Sequence, residues 1–398
     1  MIPAGQACSL ALVQRSEMPS DDVLQRLHQR FPRVAVVHDW LTTPGGSEQV
    51  VHQLLLMFPE AELFTSIYDP DPWPREITER KVHASFLDRI PGARHNHQKL
   101  LPLMNAAFRS FDLSGFDLVL SSSHACAKNV RKAPGALHVC YCHTPMRYAW
   151  EKEFLEGEQL PRGARFLLPP ALAWLRRQDL RGAGGVDLFV ANSRYVAQRI
   201  ERYYGRTAEV VHPPIDVRHF LELQRSPQDF YLVFGRVVPY KRVDLAVDAC
   251  TRLGRKLKVA GAGRALESVR AGAGPGIELL GKVSADERDR LLSGARALLF
   301  PGEEDFGIVP VETQAAGAPV IAYGLGGATE SVLDGRTGVL FEEQSAASLA
   351  AAIERFEGLA LDQRDARENA RRFGEERFRS ELAAVIESAA SLPLHVAA

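Results

Sequence analysis

Glu304 and Glu312 stand eight positions apart in the run Glu304-Asp305-Phe306-Gly307-Ile308-Val309-Pro310-Val311-Glu312. The apolar run Ala297–Phe300 and the turn pair Pro301-Gly302 precede them, and Thr313–Gly317 follows as a helix body ended by glycine. The spacing predicts a loop acid, a helix start with free backbone N–H groups, and a second acid two turns in. Such a site suits an anionic, hydroxyl-rich ligand. A second group lies upstream in Phe234-Gly235-Arg236-Val237-Val238-Pro239-Tyr240-Lys241-Arg242. A strand delivers Arg236 at its carboxyl end and Lys241 follows at a helix start. The fork of an arginine and the point charge of a lysine together fit a diphosphate, whose departure they can neutralise without a metal. Alone, this reads as a solvated basic turn; coupled to Glu304–Glu312 it reads as a phosphate grip.

The first half of the chain offers weaker signals. Pro44-Gly45-Gly46-Ser47-Glu48 opens a helix after the first strand, where two glycines let backbone N–H groups approach a ligand closely. Tyr141–Tyr148 follows a strand, and within it His143 is the candidate for a neutral hydrogen-bonding or acid–base group near a reacting carbon. His38, His124 and His212 read as satisfied structural histidines. Cys140 and Cys142 beside His138 and His143 invite a metal reading, but alternate strand positions are ordinary burial sites for cysteine, and no metal is expected. Gly261-Ala262-Gly263-Arg264-Ala265-Leu266 resembles a dinucleotide loop, yet Leu266 replaces the third small residue, so a tight strand-to-helix turn is expected and an oxidoreductase is not.

The elements that must hold these residues alternate. Apolar runs at Val34–Val37, Leu63–Ile67, Leu118–Ser121, Leu137–Cys142, Leu188–Ala191 and Val210–Val211 are separated by amphipathic stretches such as Ser47–Phe58. The second half repeats the rhythm at Tyr231–Phe234, Leu257–Ala260, Ile277–Leu280, Ala297–Phe300, Val320–Ala322 and Val339–Phe341. Runs without alternation, joined by helical crossovers, predict parallel strands buried on both faces. At 398 residues the chain exceeds one ordinary core. The expectation is α/β: two tandem Rossmann-like, doubly wound domains facing a cleft. Residues 1–30 form an N-terminal extension, 31–215 the first domain, 216–380 the second, and 381–398 a C-terminal helix and tail packing back on the first.

Composition narrows the partners. A net charge of -1 argues against a nucleic-acid binder. No run approaches 18 apolar residues, residues 1–22 lack the basic start of a signal peptide, and five cysteines suit a reducing cytoplasm. Arg162–Arg181 and His95–Phe108 mix leucines and aromatics with basic residues, so they read either as helices packed on their own domain or as peripheral contacts on an anionic inner membrane face.

These residues resemble the retaining glycosyltransferases of family 4, with the GT-B fold, over about 33–386. The resemblance rests on Gly235-Arg236 with Lys241, on Glu304–Glu312, and on Gly326-Gly327-Ala328-Thr329-Glu330 with Gly335 and Gly338. Ser121–His124, Tyr141–Trp150, Ala191–Ser193 and Pro213–Asp216 are similar to a subgroup that builds O-antigens and exopolysaccharides, many of whose members are mannosyltransferases. It implies a nucleoside diphosphate sugar as donor, GDP-mannose first, with a glycan or lipid-linked acceptor and no cofactor or metal; the alternative is a UDP-sugar-dependent glucosyl- or GlcNAc-type transferase on a lipid or small-molecule acceptor. The resemblance further implies that Arg236 and Lys241 grip the diphosphate, Glu304 the donor sugar and Glu312 the ribose. Backbone N–H groups around Phe306, Gly307, Ile308 and Val309 complete that site. Gly45, Gly46 and His143 face it from the first domain, and the base rests near Gly281-Lys282-Val283. Two departures are Pro213-Pro214 for the common Asn-Gly and Gln314 for Ala. The rivals are a sugar phosphorylase, for which no cofactor lysine stands out, and a non-catalytic assembly subunit, which would lack part of the constellation.

Overall fold

The structure, a computed structural model, describes residues 21–151 and 168–391. Two parallel sheets carry it. In the first, β1 (Val34–His38), β2 (Glu62–Thr65), β3 (Val82–Ala84), β4 (Leu118–Ser123), β5 (Leu137–Cys142), β6 (Leu188–Ala191) and β7 (Ala208–Val210) lie in the order β3-β2-β1-β4-β5-β6-β7. In the second, β8 (Tyr231–Phe234), β9 (Leu257–Ala260), β10 (Ile277–Gly281), β11 (Leu298–Phe300), β12 (Val320–Tyr323) and β13 (Gly338–Phe341) lie in the order β10-β9-β8-β11-β12-β13. Every pairing is parallel. The apolar runs are buried on both faces, as in β1, β4 and β5, because helices cover each side of the sheet. Edge strand β3, Val-His-Ala, is absent from the sequence expectation because it carries no apolar run.

The strand order reverses between β1 and β4 in one sheet and between β8 and β11 in the other. At such switch points neighbouring crossovers leave on opposite faces, and a crevice opens beyond the carboxyl ends of the strands. β1 delivers His38-Asp39 there and β4 delivers Ser122-Ser123-His124; β8 delivers Gly235-Arg236, and β11 the loop that holds Glu304. The register sets His38 directly opposite Ser122.

The helices that matter for the site are α1 (Asp21–Arg30), α2 (Gly46–Met57), α3 (Leu168–Gly184), α4 (Arg194–Tyr204), α5 (Ile308–Ala315), α6 (Gln363–Arg371) and α7 (Glu375–Ser391). After α6 the chain crosses back: α7 buries Phe378, Leu382 and Ile386 in the core of the first sheet, beside Leu54 and Tyr141. The crossing helix starts at Glu375, so residues 375–380 go with it rather than with the second sheet. α1 enters the same core through Leu27, and Arg26 pairs with Glu387 of α7 at 2.6 Å. The crossing is fixed to the linker where Ile215 N–H donates to the Phe373 carbonyl at 3.1 Å.

Candidate active site

In the second domain three loops meet backbone to backbone. A Cβ on Gly261 would stand 1.8 Å from the Gly235 carbonyl oxygen, and one on Gly263 would stand 2.1 Å from that of Val237. The Gly-Ala-Gly segment is therefore a close-packed turn beneath Arg236. The Pro239–Lys241 turn then sets the Lys241 ammonium 2.6 Å from Glu304 Oε1. The two residues that resemblance assigns to phosphate and to sugar thus touch one another. An ammonium keeps further N–H donors beyond this pair. Arg236 is exposed, with Nη2 3.4 Å from the Tyr240 hydroxyl; burial chiefly disfavours protonation of His124, and the charge of Arg236 across the cleft adds a little to it.

α5 begins at Ile308, after Gly307 with φ 87°, so Glu312 lies little more than one turn in, not two. The first-turn N–H groups of a helix have no partner inside it, and no side chain caps those of α5. The Phe306 ring is buried against His212 and Phe373, leaving only its backbone to serve a ligand. Glu312 is half-buried, and burial raises its carboxyl to about 7 against the opposing pull of Arg288. Val283 packs on the core of the second sheet just after Gly281, which has φ 70°. Gln314, the departure noted above, donates to the Pro310 and Ser331 carbonyls at 3.1 and 2.8 Å and accepts from Asn369 at 2.7 Å, tying α5 to α6.

The first domain answers with a buried polar chain. Glu48 Oε1 lies 3.2 Å from His38 Nε2, His38 Nδ1 lies 3.1 Å from Ser122 Oγ, and Ser122 Oγ lies 2.8 Å from His143 Nε2. Burial pushes His143 down to about 3, helped by His124 and His38, so its imidazole is neutral at any working pH. For Glu48 burial is the largest influence and opposes the charge, but the His38 hydrogen bond together with the nearby His38 and His124 outweighs it, so the carboxyl titrates below its ordinary range. Asp39 accepts backbone N–H bonds from His124, Ala125, Cys126 and Ala127 at 2.5–3.0 Å. It fixes the turn that follows β4. Gly46 faces α5 so closely that a Cβ there would stand 2.4 Å from Ile308 Cδ1, while Gly45 opens α2 as its N-cap.

Around the cleft, loops of one domain grip the other. Asp305 accepts from Arg147 at 2.7 Å and Arg199 at 2.6 Å; Glu303 accepts from the Tyr195 hydroxyl. Glu330 takes the free N–H groups of Arg194 and Tyr195 at the start of α4, at 3.1 and 3.2 Å, and pairs with His212 at 3.0 Å. The structure brings Arg236, Lys241, Glu304, Glu312 and α5 to one side of a cleft, with Gly46 and His143 on the first-domain side. Sequence reasoning missed Asp39, the Glu48–His38–Ser122 chain and the Asp305 pairs. The basic stretch read at 162–181 lies partly outside the described residues, and within it Arg176 turns inward to the Ala149 carbonyl and the Trp150 ring. In the segment His95–Phe108, Leu101, Met104 and Phe108 are core residues, leaving Leu103 exposed beside Lys99. Cys140 and Cys142 are buried core thiols.

Family models match both domains. The family model described as Glycosyltransferase Family 4 matches residues 44–219, and that of Glycosyl transferases group 1 matches residues 218–373. A D-inositol 3-phosphate glycosyltransferase of Nocardioides is 30% identical over 208 residues, 42% of this chain and 45% of that protein. A GDP-mannose-dependent alpha-(1-6)-phosphatidylinositol monomannoside mannosyltransferase of Mycobacterium tuberculosis is 28% identical over 218 residues, 47% of this chain and 56% of its own. The chain thus spans about half the length of the curated relatives it matches. Among solved structures, Anabaena HepE in complex with UDP-glucose superposes with a TM-score of 0.65 at 17% identity, over 89% of this chain and 99% of that one. The lipopolysaccharide outer core galactosyltransferase WaaB, in its apo form, superposes with a TM-score of 0.61 at 17% identity, over 89% and 99%. The two matched models are contiguous and the superposed fold is GT-B: the chain joins a Glycosyltransferase Family 4 domain to a Glycosyl transferases group 1 domain.

Proposed function

We propose that the protein transfers a hexose, with retention, from a nucleoside diphosphate sugar to a hydroxyl of a glycan or lipid-linked acceptor in surface polysaccharide assembly. The observation that carries this is the Lys241–Glu304 pair at 2.6 Å, set beside the start of α5 and one turn from an unneutralised Glu312. Lys241, Arg236 and the α5 N–H groups supply positive charge where a diphosphate departs, so no divalent metal is needed. Glu312 accepts ribose hydroxyls, and Glu304 accepts from the donor sugar while steadied by Lys241. His143 is held neutral and acts as a hydrogen-bonding group beside the sugar, not as a proton donor. In the front-face route, the bond from the anomeric carbon to phosphate breaks as the acceptor oxygen attacks from the same side. The acceptor proton passes to the departing phosphate oxygen.

GDP-mannose is the donor we favour, on the subgroup resemblance and on one relative whose name declares GDP-mannose dependence. Peripheral contact with a membrane is supported by exposed Leu103 beside Lys99 and by the outward face of α3, with Trp174, Leu180, Arg177 and Arg181. Among the described residues no helix is long and apolar enough to cross a membrane. The deciding experiment is nucleotide release from a panel of GDP- and UDP-hexoses, with and without a chelator. Release of GDP from GDP-mannose, undiminished by chelation, is expected. Release from UDP-sugars alone overturns the donor, and loss on chelation overturns the metal-free mechanism.

A further inference from the structure

Three consecutive acids leave β11 in three directions. Glu304 turns to Lys241 within its own domain. Its neighbours both reach the first domain: Glu303 to the Tyr195 hydroxyl, and Asp305 to the guanidinium groups of Arg147 and Arg199. The acid proposed to hold the donor sugar is therefore held on both sides by the opposite domain.

Arg147 does more than pair with Asp305. Its guanidinium lies 5.3 Å over the ring of Tyr240, the residue before Lys241. One planar cation thus touches both loops that carry the donor-gripping side chains. It also lies four residues beyond His143, in the segment after β5, where Asn192 Nδ2 donates to the His143 carbonyl at 3.0 Å. Glu151 completes the cluster, 3.7 Å from Arg147 Nε and paired with Arg199. Two cations and two carboxylates balance, so the cluster carries no net charge into a site that leaves each side chain less than a quarter exposed. Three members belong to the first domain and Asp305 to the second, so separating the domains strips buried charges of their partners, which is costly. A lysine, with a point charge and no planar fork, cannot both pair with Asp305 and stack on Tyr240.

We propose that Arg147, seconded by Arg199, is a positioning residue: it sets Glu304 and Lys241 opposite His143, and does so only when the two domains are closed. This rests on the donor-site reading given above. The relevant measurement is steady-state turnover of the full chain with the releasing nucleotide sugar, beside calorimetric titration of GDP and UDP. R147A and D305N are each expected to lower kcat about 100-fold, the scale of a misplacement of about 1 Å. Affinity for the free nucleotide, gripped within the second domain, is expected to stay within about threefold. R147K is expected to fall between, roughly tenfold down, and R147A/D305N to cost less than the product of the two single changes, because they share the Arg147–Asp305 contact. A kcat within threefold of wild type in R147A and D305N overturns the proposal. Equal losses of turnover and nucleotide affinity also overturn it, since that pattern marks general damage to the fold. Wild-type protein that turns over no nucleotide sugar strikes down the donor-site reading instead. Small-angle scattering then tests the latch alone: R147A/D305N should be more extended than wild type, and an unchanged radius of gyration refutes it.

Discussion

Glu48 and Glu312 are the same residue on opposite walls of the cleft, and their environments push them in opposite directions. Glu48, buried in the first domain, finds His38 at 3.2 Å and is held ionised below the ordinary carboxylate range despite burial. Glu312, in the second domain, feels burial first, and no charge nearby outweighs it, so it rises to about 7. The contrast extends to neighbours. On the first-domain wall Asp39 is saturated by four backbone N–H groups and His143 is fixed through Ser122. On the second-domain wall Arg236 stands exposed and the start of α5 has no side-chain cap. Unmet polar capacity at a buried or half-buried site is costly unless a ligand meets it. One wall is finished without ligand apart from Ser123 Oγ and His124 Nδ1, which keep no hydrogen-bond partner, and it supplies shape; the other is completed by an anionic, hydroxyl-bearing ligand.

The largest test of that asymmetry removes a cation from the unfinished wall. Lys241→Ala is expected to lower kcat about 100- to 1,000-fold, by analogy with loss of one preorganised donor at a developing anion, about 3–4 kcal/mol. Turnover within a factor of a few would mean that no phosphate departs at that point. Glu312→Gln is expected to act on donor KM instead, raising it about tenfold or more, since a charged hydrogen bond is worth roughly 1.5–3 kcal/mol. The pH dependence carries the sign. A carboxyl titrating near 7 is protonated below that pH and gains acceptor strength above it, so donor KM should fall as pH rises through about 7. In Glu312→Gln that slope should vanish. His143, near 3, contributes no slope in this range. The same shift costs the free protein stability as pH climbs from the ordinary carboxylate range to about 7, because the folded state holds a proton that the unfolded chain releases. A denaturation series should show this in wild type and not in Glu312→Gln.

The two walls also differ in how legible they are in the sequence. The second-domain wall is written locally: Gly235-Arg236 to Lys241 and Glu304 to Glu312 are short runs at strand ends, so residue type and spacing reveal them. The first-domain wall depends on register. His38 meets Ser122 across 84 residues because β1 and β4 pair with those positions opposite, and no feature near either residue announces it. The Asp305 contacts span 158 and 106 residues and join separate domains. The strands were legible wherever both faces are apolar, and β3 escaped because Val-His-Ala at a sheet edge has no such need. Residue spacing starts α5 too early, since Gly307 at φ 87° delays the helix until Ile308.

The smallest test is made on the finished wall. Ser122 Oγ stands 3.1 Å from His38 Nδ1 and 2.8 Å from His143 Nε2, so one hydroxyl steadies two rings. Ser122→Ala leaves His143 neutral but free to turn, and kcat should drop roughly fivefold, the worth of about 1 kcal/mol for one neutral hydrogen bond. Donor KM should hardly move, because the grip on the nucleotide lies across the cleft. Glu48→Gln, two links further back, keeps a hydrogen-bonding group beside His38 and should cost less than Ser122→Ala. The ordering is what matters: loss should fade with distance from His143 along the chain Ser122, His38, Glu48. If Ser122→Ala raised donor KM while sparing kcat, the first-domain wall would be gripping the donor and not shaping the space around its sugar, and the division between the two walls would fail.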